Sequence, residues 1–453
     1  MVWDDGHVVT RVAILGATGS IGRQALEVVT AHPDRLRATV LASRRNADDL
    51  AVLASRFGAR AIVAERDGGV SALVAAATAK DVDLVLVATT GIDGIEPTRQ
   101  ALEVVMAHPD RLRATVLASR RNADDLAVLA SRFGARAIVA ERDGGVSALV
   151  AAATAKDVDL VLVATTGIDG IEPTLAALEA GKSVALANKE TLVAGGHLVR
   201  RHVAGAGDRL RPVDGEHCAL WQCLVGTRPE EVRRVLITAS GGPFRTLPLV
   251  ELAAVTPDLA LRHPTWRMGP KITIDSATLT NKGFEIVEAR WLYDLTYDRI
   301  DVVIHPESMV HAMVELADGS VKAQLAEPDM RLFIQYALLW KHAPAPTRAI
   351  DWTMPRTLRF EPVDATRYPC LATVLETARS GDLSAMIGLV AADEVAVDRF
   401  LRKEIAFDEI AVYLHRGATL GRAHARSAEP SLAEIRHIDA EVRGALREEP
   451  VLR

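Results

Sequence analysis

At 453 residues the chain is too long for one ordinary core, and two or three domains are expected. Hydrophobic residues make up 49% and charged residues 25%, as in a soluble globular protein, and a net charge of −6 excludes a general attraction to nucleic acid or anionic membrane. Three cysteines, Cys218, Cys223 and Cys370, have no metal-ligand spacing; they argue against a disulfide framework or zinc site and point to a reducing cytoplasm.

In chain order, Met1-Val2-Trp3-Asp4-Asp5-Gly6-His7 has neither a basic n-region nor an apolar h-region, so no secretory signal is expected. A strand is predicted at 12–15, running into Gly16-Ala17-Thr18-Gly19-Ser20-Ile21-Gly22 and then a helix. Glycines at a strand–turn–helix junction let backbone approach a pyrophosphate at the helix N-terminus. The pattern GxxGxxG is weak alone and gains weight from that context.

Residues 23–98 then recur as 99–174, differing only where Thr30 becomes Met106. Independent modules would not stay so similar, so the duplication is recent or arose in assembly or cloning. The first copy reads as helices at 24–31, 47–57 and 70–79 alternating with strands at 38–42, 61–64 and 84–88. Such alternation predicts a parallel, doubly wound sheet. A helix at 175–180 and a strand at 183–187 follow the second copy. Short connections favour the first helix from copy one and the last strand from copy two, with the surplus extending the sheet or hanging outside it. Apolar runs such as 159–164 are too short to span a bilayer and read as buried strands.

The second strand ends in Ser43-Arg44-Arg45-Asn46, with no carboxylate for a ribose hydroxyl. Two arginines suit a 2′-phosphate, so NADP is preferred over NAD. Arg120, Arg121 and Asn122 are the copy-two equivalents. Asn188-Lys189-Glu190 follows the strand at 183–187, at the carboxyl end where doubly wound sheets bind ligands.

Further on, Asp214 and Glu216 are two apart, which on a strand points both to one face. With Glu285 they make an oxygen set suited to Mg²⁺ or Mn²⁺, with Co²⁺ as a further option. Ser240-Gly241-Gly242 offers a hydroxyl and free amides, and the span to Gly269, with His263 and Trp266, reads as a lid over the site. Lys189 and Lys282 are placed to neutralise phosphate or oxyanion charge. Plainer roles exist for each: a surface D-x-E, a capping Ser240, His263 and Trp266 as core, solvated lysines.

These motifs together resemble the 1-deoxy-D-xylulose 5-phosphate reductoisomerase family of the non-mevalonate isoprenoid pathway. The resemblance rests on Gly16–Gly22, Asn188-Lys189-Glu190, Asp214 with Glu216-His217, Ser240–Arg245, Arg262-His263-Pro264, Lys271-Ile272 to Glu285, His305-Pro306-Glu307-Ser308, Glu327-Pro328-Asp329 and Tyr368-Pro369-Cys370. It spans nearly the whole chain once one copy is discounted. It implies an α/β protein: a doubly wound, Rossmann-like NADPH domain (1–211), an α/β catalytic domain (212–340, lid about 240–269), a linker (341–365) and a C-terminal helical domain (366–453). It further implies a cytoplasmic homodimer. By resemblance, Asp214, Glu216 and Glu285 hold the metal, and Lys189, Gly215, Glu216, Ser240, His263, Trp266, Ser276, Asn281, Lys282 and Glu285 meet the substrate. Thr18, Gly19, Ser20, Ile21, Arg44, Arg45, Asn46, Asn188, Glu190 and Gly269 meet NADPH. The implied reaction rearranges and reduces 1-deoxy-D-xylulose 5-phosphate to 2-C-methyl-D-erythritol 4-phosphate.

Three departures stand out: Gly215 where the family usually has Ser, Arg44 where it commonly has Gly, and the duplication. Two competing readings follow. One is a catalytically impaired member that only binds nucleotide or partners. The other is a different NADP-dependent oxidoreductase, such as a semialdehyde dehydrogenase, which needs a nucleophilic cysteine.

Overall fold

The computed structural model describes residues 10–15, 26, 29–30, 33, 36–43, 47–63, 84–87, 95–120, 122–203, 209–262, 268–340, 342, 344 and 347–448. They divide into two compact units, Met1–Ile92 with Arg113–Ala152, and Asp93–Leu112 with Ala153–Arg453.

In the first unit, strands β1 (Thr10–Leu15), β2 (Leu36–Ser43), β3 (Arg60–Val63) and β4 (Leu84–Val87) form a parallel sheet in the order β3-β2-β1-β4. Helix α1 (Ala47–Phe57) buries Leu50, Leu53 and Ala54, the i, i+3, i+4 stripe of an amphipathic helix. Asp48 and Asp49 in its first turn and Arg56 in its last suit the helix dipole. Leu26 and Val29 pack with Leu41, Leu50 and Leu53 in the same small core.

Copy two is used differently. Helix α2 (Ile95–Ala107), which runs from the last residues of copy one into copy two, belongs to the second unit, where Ala101 and Val104 pack with Ala185, Val213, Ile334 and Ala337. His108 Nε2 meets Gln335 Oε1 at 2.8 Å, closing that contact. The next strands of copy two, β5 (Val116–Ser119) and β6 (Arg136–Val139), pair in parallel as a separate two-stranded sheet with α3 (Ala123–Phe133) between them in sequence. Asn122 caps α3 by accepting from the Asp125 amide at 3.1 Å, and Gly134 ends it in the left-handed region. Helix α4 (Val146–Ala153) leads to β7 (Leu160–Val163), which pairs with β8 (Ser183–Leu186). Helix α5 (Ile171–Glu179) lies between them in sequence, and α6 (Glu190–Val203) follows β8 and leads to β9 (Leu210–Pro212) in the order β7-β8-β9.

The same Leu-Val-Leu-Val strand is therefore present twice, once beside β1 and once beside β8. Joined on that common strand, the two orders read 3-2-1-4-5-6, the doubly wound dinucleotide-binding order. Copy one supplies the strands beside β1 and copy two the last repeat strand. The surplus pair β5-β6 forms its own sheet rather than extending either of the other two.

The rest of the second unit begins with α7 (Gly215–Leu224). A mixed five-stranded sheet follows, built from β10 (Val232–Ala239), β11 (Ile300–Ile304), β12 (Val310–Leu316), β13 (Val321–Leu325) and β14 (Glu361–Pro362) in the order β13-β12-β10-β11-β14. Helices α8 (Pro270–Thr278) and α9 (Thr280–Tyr293) come between β10 and β11, and α10 (Met330–Leu339) follows β13. Four helices close the chain: α11 (Pro369–Arg379), α12 (Leu383–Leu401), α13 (Glu409–Ala423) and α14 (Leu432–Glu448). Helices α12 and α13 cross so closely that a Cβ on Gly388 would lie 2.2 Å from the Gly417 carbonyl oxygen. The architecture is α/β with a helical C-terminal region. Among the described residues no helix is long and apolar enough to cross a membrane.

Candidate metal and substrate site

Three chain segments of the second unit converge here: the end of β8, the start of α7 and the start of α9. Asp214 and Glu216 do not share a strand, as their spacing had suggested. Strand β9 stops at Pro212, Asp214 is the N-cap of α7 and Glu216 lies in its first turn. The turn from extended to helical backbone brings the two carboxylates together instead. Glu285, on the second turn of α9, completes the set, and one oxygen of each of the three lies within 4.8 Å of the others.

Lys189, three residues past the end of β8, reaches Asp214 Oδ2 at 2.7 Å, Glu285 Oε1 at 3.5 Å and the Asn281 side-chain oxygen. Lys282 reaches Glu216 Oε1 at 2.7 Å and Glu285 Oε2 at 2.5 Å. Three carboxylates thus face two ammonium groups in a buried pocket. Burial alone would raise Asp214, but Lys189 and His217 hold its carboxyl well below the usual range. Burial, reinforced by Glu285, pushes Glu216 up to about 7. Burial would pull both lysines down, yet Asp214 and Glu285 at Lys189, and Glu216 and Glu285 at Lys282, raise them, so both stay charged. An all-oxygen carboxylate set of this size fits a hard divalent cation.

Helices α8 and α9 are joined at Leu279, a buried residue at φ 56°. A leucine in the left-handed region is strained, and the kink turns Asn281 and Lys282 onto the face that Glu285 and Glu288 share. Ser276 sits on the last turn of α8. Gly242, at φ 68°, packs on it so tightly that a Cβ would lie 2.9 Å from Ala277 Cα and 3.0 Å from the Ser276 carbonyl oxygen. The Gly242 amide donates to Ser240 Oγ at 3.2 Å, so Ser240 and Ser276 belong to one neighbourhood. Tyr368 Oη donates to the Gly241 carbonyl at 2.9 Å and holds this loop from the C-terminal side. Gly269 is the N-cap of α8 and accepts from the Thr273 amide at 3.1 Å. A Cβ on Gly215 would meet the Phe333 ring at 3.3 Å.

Next to Lys189, Asn188 Nδ2 donates to the carbonyls of Thr165 (2.9 Å) and Gly167 (3.0 Å) and to Glu190 Oε2 (2.8 Å). The buried Thr165 Oγ1 has no hydrogen-bond partner, which leaves a polar group at the carboxyl end of β7 for a ligand to satisfy. Thr18, Gly19, Ser20, Ile21, Arg44, Arg45, Asn46, Arg121, His263 and Trp266 lie outside the described residues. Arg120 lies 3.4 Å from Glu141, and Asn122 serves as the cap of α3.

Spacing alone missed several groups. Glu288 lies one turn beyond Glu285 and pairs with the buried His217 at 3.3 Å. Helical periodicity on α9 was the available signal. Lys271 contacts Asp275, Asp393 and Glu190, and the partner from α12 had no signal near it in sequence. The cysteines are all buried; burial pushes Cys218 and Cys370 up to about 12 and Cys223 up to about 11, so none is a ready nucleophile for a semialdehyde dehydrogenase.

Residues 12–71 and 141–196 match the family model described as 1-deoxy-D-xylulose 5-phosphate reductoisomerase, stepping over part of the duplication. Residues 210–293 and 325–445 match two C-terminal domain models of the same enzyme. The 1-deoxy-D-xylulose 5-phosphate reductoisomerase of Thermomicrobium roseum is 47% identical over 378 residues, covering 80% of this chain and 96% of that one. The Chloroherpeton thalassium protein of that name is 38% identical over 434 residues, 96% of each chain. A structure of the Zymomonas mobilis enzyme in complex with NADPH aligns with a TM-score of 0.62 at 35% identity, covering 98% of this chain and 100% of that one. A DOX-P reductoisomerase structure in complex with NADPH, fosmidomycin and magnesium gives 0.64 at 29% identity, covering 97% and 98%. With these matches along its length, the chain belongs to the 1-deoxy-D-xylulose 5-phosphate reductoisomerase family.

Proposed function

We propose that this chain converts 1-deoxy-D-xylulose 5-phosphate to 2-C-methyl-D-erythritol 4-phosphate, using NADPH and a divalent cation, in isoprenoid precursor biosynthesis. The observation that carries this reading is the convergence of Asp214, Glu216 and Glu285 with Lys189, Lys282 and Asn281 in one buried pocket. Asp214, Glu216 and Glu285 would hold Mg²⁺, or Mn²⁺ in its place. Bound there, the ion would polarise the substrate carbonyl as a Lewis acid. NADPH would supply the hydride from a site formed by Thr18, Gly19, Ser20, Ile21, Arg44, Arg45, Asn46, Asn188, Glu190 and Gly269.

The chain's own work is positioning and charge balance. Lys189 and Lys282 stay protonated and offset phosphate or oxyanion charge. Ser240, Ser276 and Asn281 supply neutral donors to the substrate, and Gly215 offers its backbone amide at the open first turn of α7. His263 and Trp266 belong to a lid of about 240–269 that excludes water; Leu249, Val250, Leu259 and Leu261 within it are exposed apolar side chains available for closure. The domains are 1–211 for NADPH, 212–340 for catalysis, 341–365 as linker and 366–453 as a helical domain. The protein acts as a cytoplasmic homodimer.

One observation favours a second reading, an impaired member of the family. Strands β1 and β8, whose ends carry the two halves of the cofactor residues, lie in separate sheets. The deciding experiment follows NADPH oxidation with 1-deoxy-D-xylulose 5-phosphate and Mg²⁺ or Mn²⁺, then with chelator. Loss of NADPH that needs both substrate and metal supports the reductoisomerase. Silence that ends when residues 99–174 are deleted supports the impaired form, and silence in both chains overturns the proposal.

A further inference from the structure

Beside the metal and substrate groups, three helices build another buried charge cluster. Lys271 occupies the first turn of α8, where the helix dipole disfavours a cation. Three carboxylates hold it there: Asp275 one turn on (2.6 Å), Asp393 of α12 (2.6 Å) and Glu190, the first residue of α6 (3.3 Å). Its Nζ also stands 5.3 Å from the centroid of the Phe284 ring. Three carboxyl groups crowd one ammonium in a mostly buried place, where burial raises the carboxyls of Asp275 and Asp393. Asp275 Oδ1 and both Asp393 oxygens lack a hydrogen-bond partner of good geometry. Apolar residues of similar volume would commonly hold three helices together as well or better.

The geometry gives the cluster a direction. Lys271 holds Glu190 by Oε1 and Asn188 holds it by Oε2, so both carboxylate oxygens are pinned and their remaining lone pairs are aimed. The same Asn188 amide holds the carbonyls of Thr165 and Gly167 past the end of β7. Helix α12 touches this turn a second time, because Glu394 packs where a Cβ on Gly167 would lie, 2.6 Å from its Oε1. Glu394 is itself fixed by Arg443 of α14 at 2.8 Å. The C-terminal helices thus reach the cofactor-side residues through two adjacent carboxylates.

We propose that Lys271 is a positioning residue for the cofactor, fixing Glu190 and through it Asn188, and that Asp393 on the C-terminal helix α12 fixes Lys271 in turn. The inference rests on the reading of Asn188 and Glu190 as groups that meet NADPH. An aimed carboxylate accepts from a hydroxyl or amide of the nucleotide; a released one turns toward solvent.

The test titrates NADPH into the full chain by nicotinamide fluorescence, alongside thermal unfolding and calorimetric Mn²⁺ binding. Lys271→Met is expected to weaken NADPH binding at least tenfold and leave Mn²⁺ affinity within twofold. The near-isosteric Asp393→Asn, which touches neither ligand, is expected to weaken NADPH several-fold. The double variant should be no worse than Lys271→Met, since both act through one link. A fall in melting temperature with unchanged NADPH affinity in Asp393→Asn overturns the proposal, as do additive losses. Failure of the unsubstituted chain to bind NADPH would overturn the functional reading itself, and this inference with it.

Discussion

The two copies of the 76-residue segment, 23–98 and 99–174, pose the same sequence in two settings. Secondary structure repeats: both Ala-Asp-Asp-Leu-Ala-Val-Leu-Ala-Ser-Arg-Phe stretches are eleven-residue helices. Burial does not. Val52 on α1 is 69% exposed, whereas the equivalent Val128 on α3 is 3% exposed. Asp49 is exposed and Asp125 buried in the same way. For this helix the local code specifies the coil and the surroundings decide which face is covered; the strand before it differs, with eight residues at Leu36–Ser43 and four at Val116–Ser119. The segment carrying Asp214, Glu216 and Glu285, by contrast, is present once, and these three carboxylates pair with Lys189 and Lys282.

The sharpest way to separate these regions is Glu285→Gln. It should cut turnover at least about 1,000-fold, roughly 4 kcal/mol of barrier, while NADPH affinity stays within about twofold, as fluorescence titration would read. A matching loss of NADPH binding would mean the once-present and twice-present regions do not act separately.

Acid should also find the single-copy region first. Burial, partly opposed by its bond to Ala326, lowers His311 on β12 from 6.5 to about 4. With the folded value below the unfolded one, the unfolded chain binds the proton more tightly. Stability is complete above about pH 6.5 and lost as pH falls toward 4, by about 3 kcal/mol at most. Five of the six tryptophans lie between 221 and 352, after the copies, so tryptophan fluorescence during urea unfolding at stepped pH reports mainly this region. A flat profile from pH 6.5 to 4 would refute the assignment.

Within the copies, Val128→Ala should cost about 2 kcal/mol and Val52→Ala less than about 0.5 kcal/mol in chemical denaturation followed by circular dichroism. Equal costs would erase the difference in burial. Below the Val128→Ala cost, deleting residues 99–174 should tighten NADPH binding by about tenfold, about 1.4 kcal/mol, since one strand could then pair with both β1 and β8. Deleting 23–98 instead leaves the same chain except for Met in place of Thr30, so the two deletions should match.

Much of this was legible in the sequence. The strands around the glycine-rich turn, the helix at 47–57 and the placement of Lys189 at a strand end all follow from period and punctuation. Asp214 and Glu216 were correctly paired, but for the wrong local reason, because a proline-ended strand and a helix start look alike over three residues. The kink at Leu279 left no mark, since leucine is a poor signal for positive φ. Asp393 lies on a helix more than a hundred residues beyond Lys271, and no local pattern could link them. The division of the sheets could not be read either, because identical strands have identical propensities and pairing depends on which edge each meets.

That last feature bears on how the chain reaches its native state. While it folds, β1 faces two indistinguishable suitors, and the choice between them is made by distance along the chain. Closing the shorter loop costs less entropy, and copy one leaves the ribosome earlier, so both effects favour the pairing seen with β2 and β4. Capture of β1 by copy two would give an alternative of almost equal contact energy, a local degeneracy in an otherwise funnelled landscape. Among the described residues the sheets also leave β4 and β7 at their margins, two copies of one short apolar ribbon that a neighbouring molecule could extend. A duplication that adds no new residue type can thus alter the kinetics of folding and the tendency to self-associate, through repetition alone.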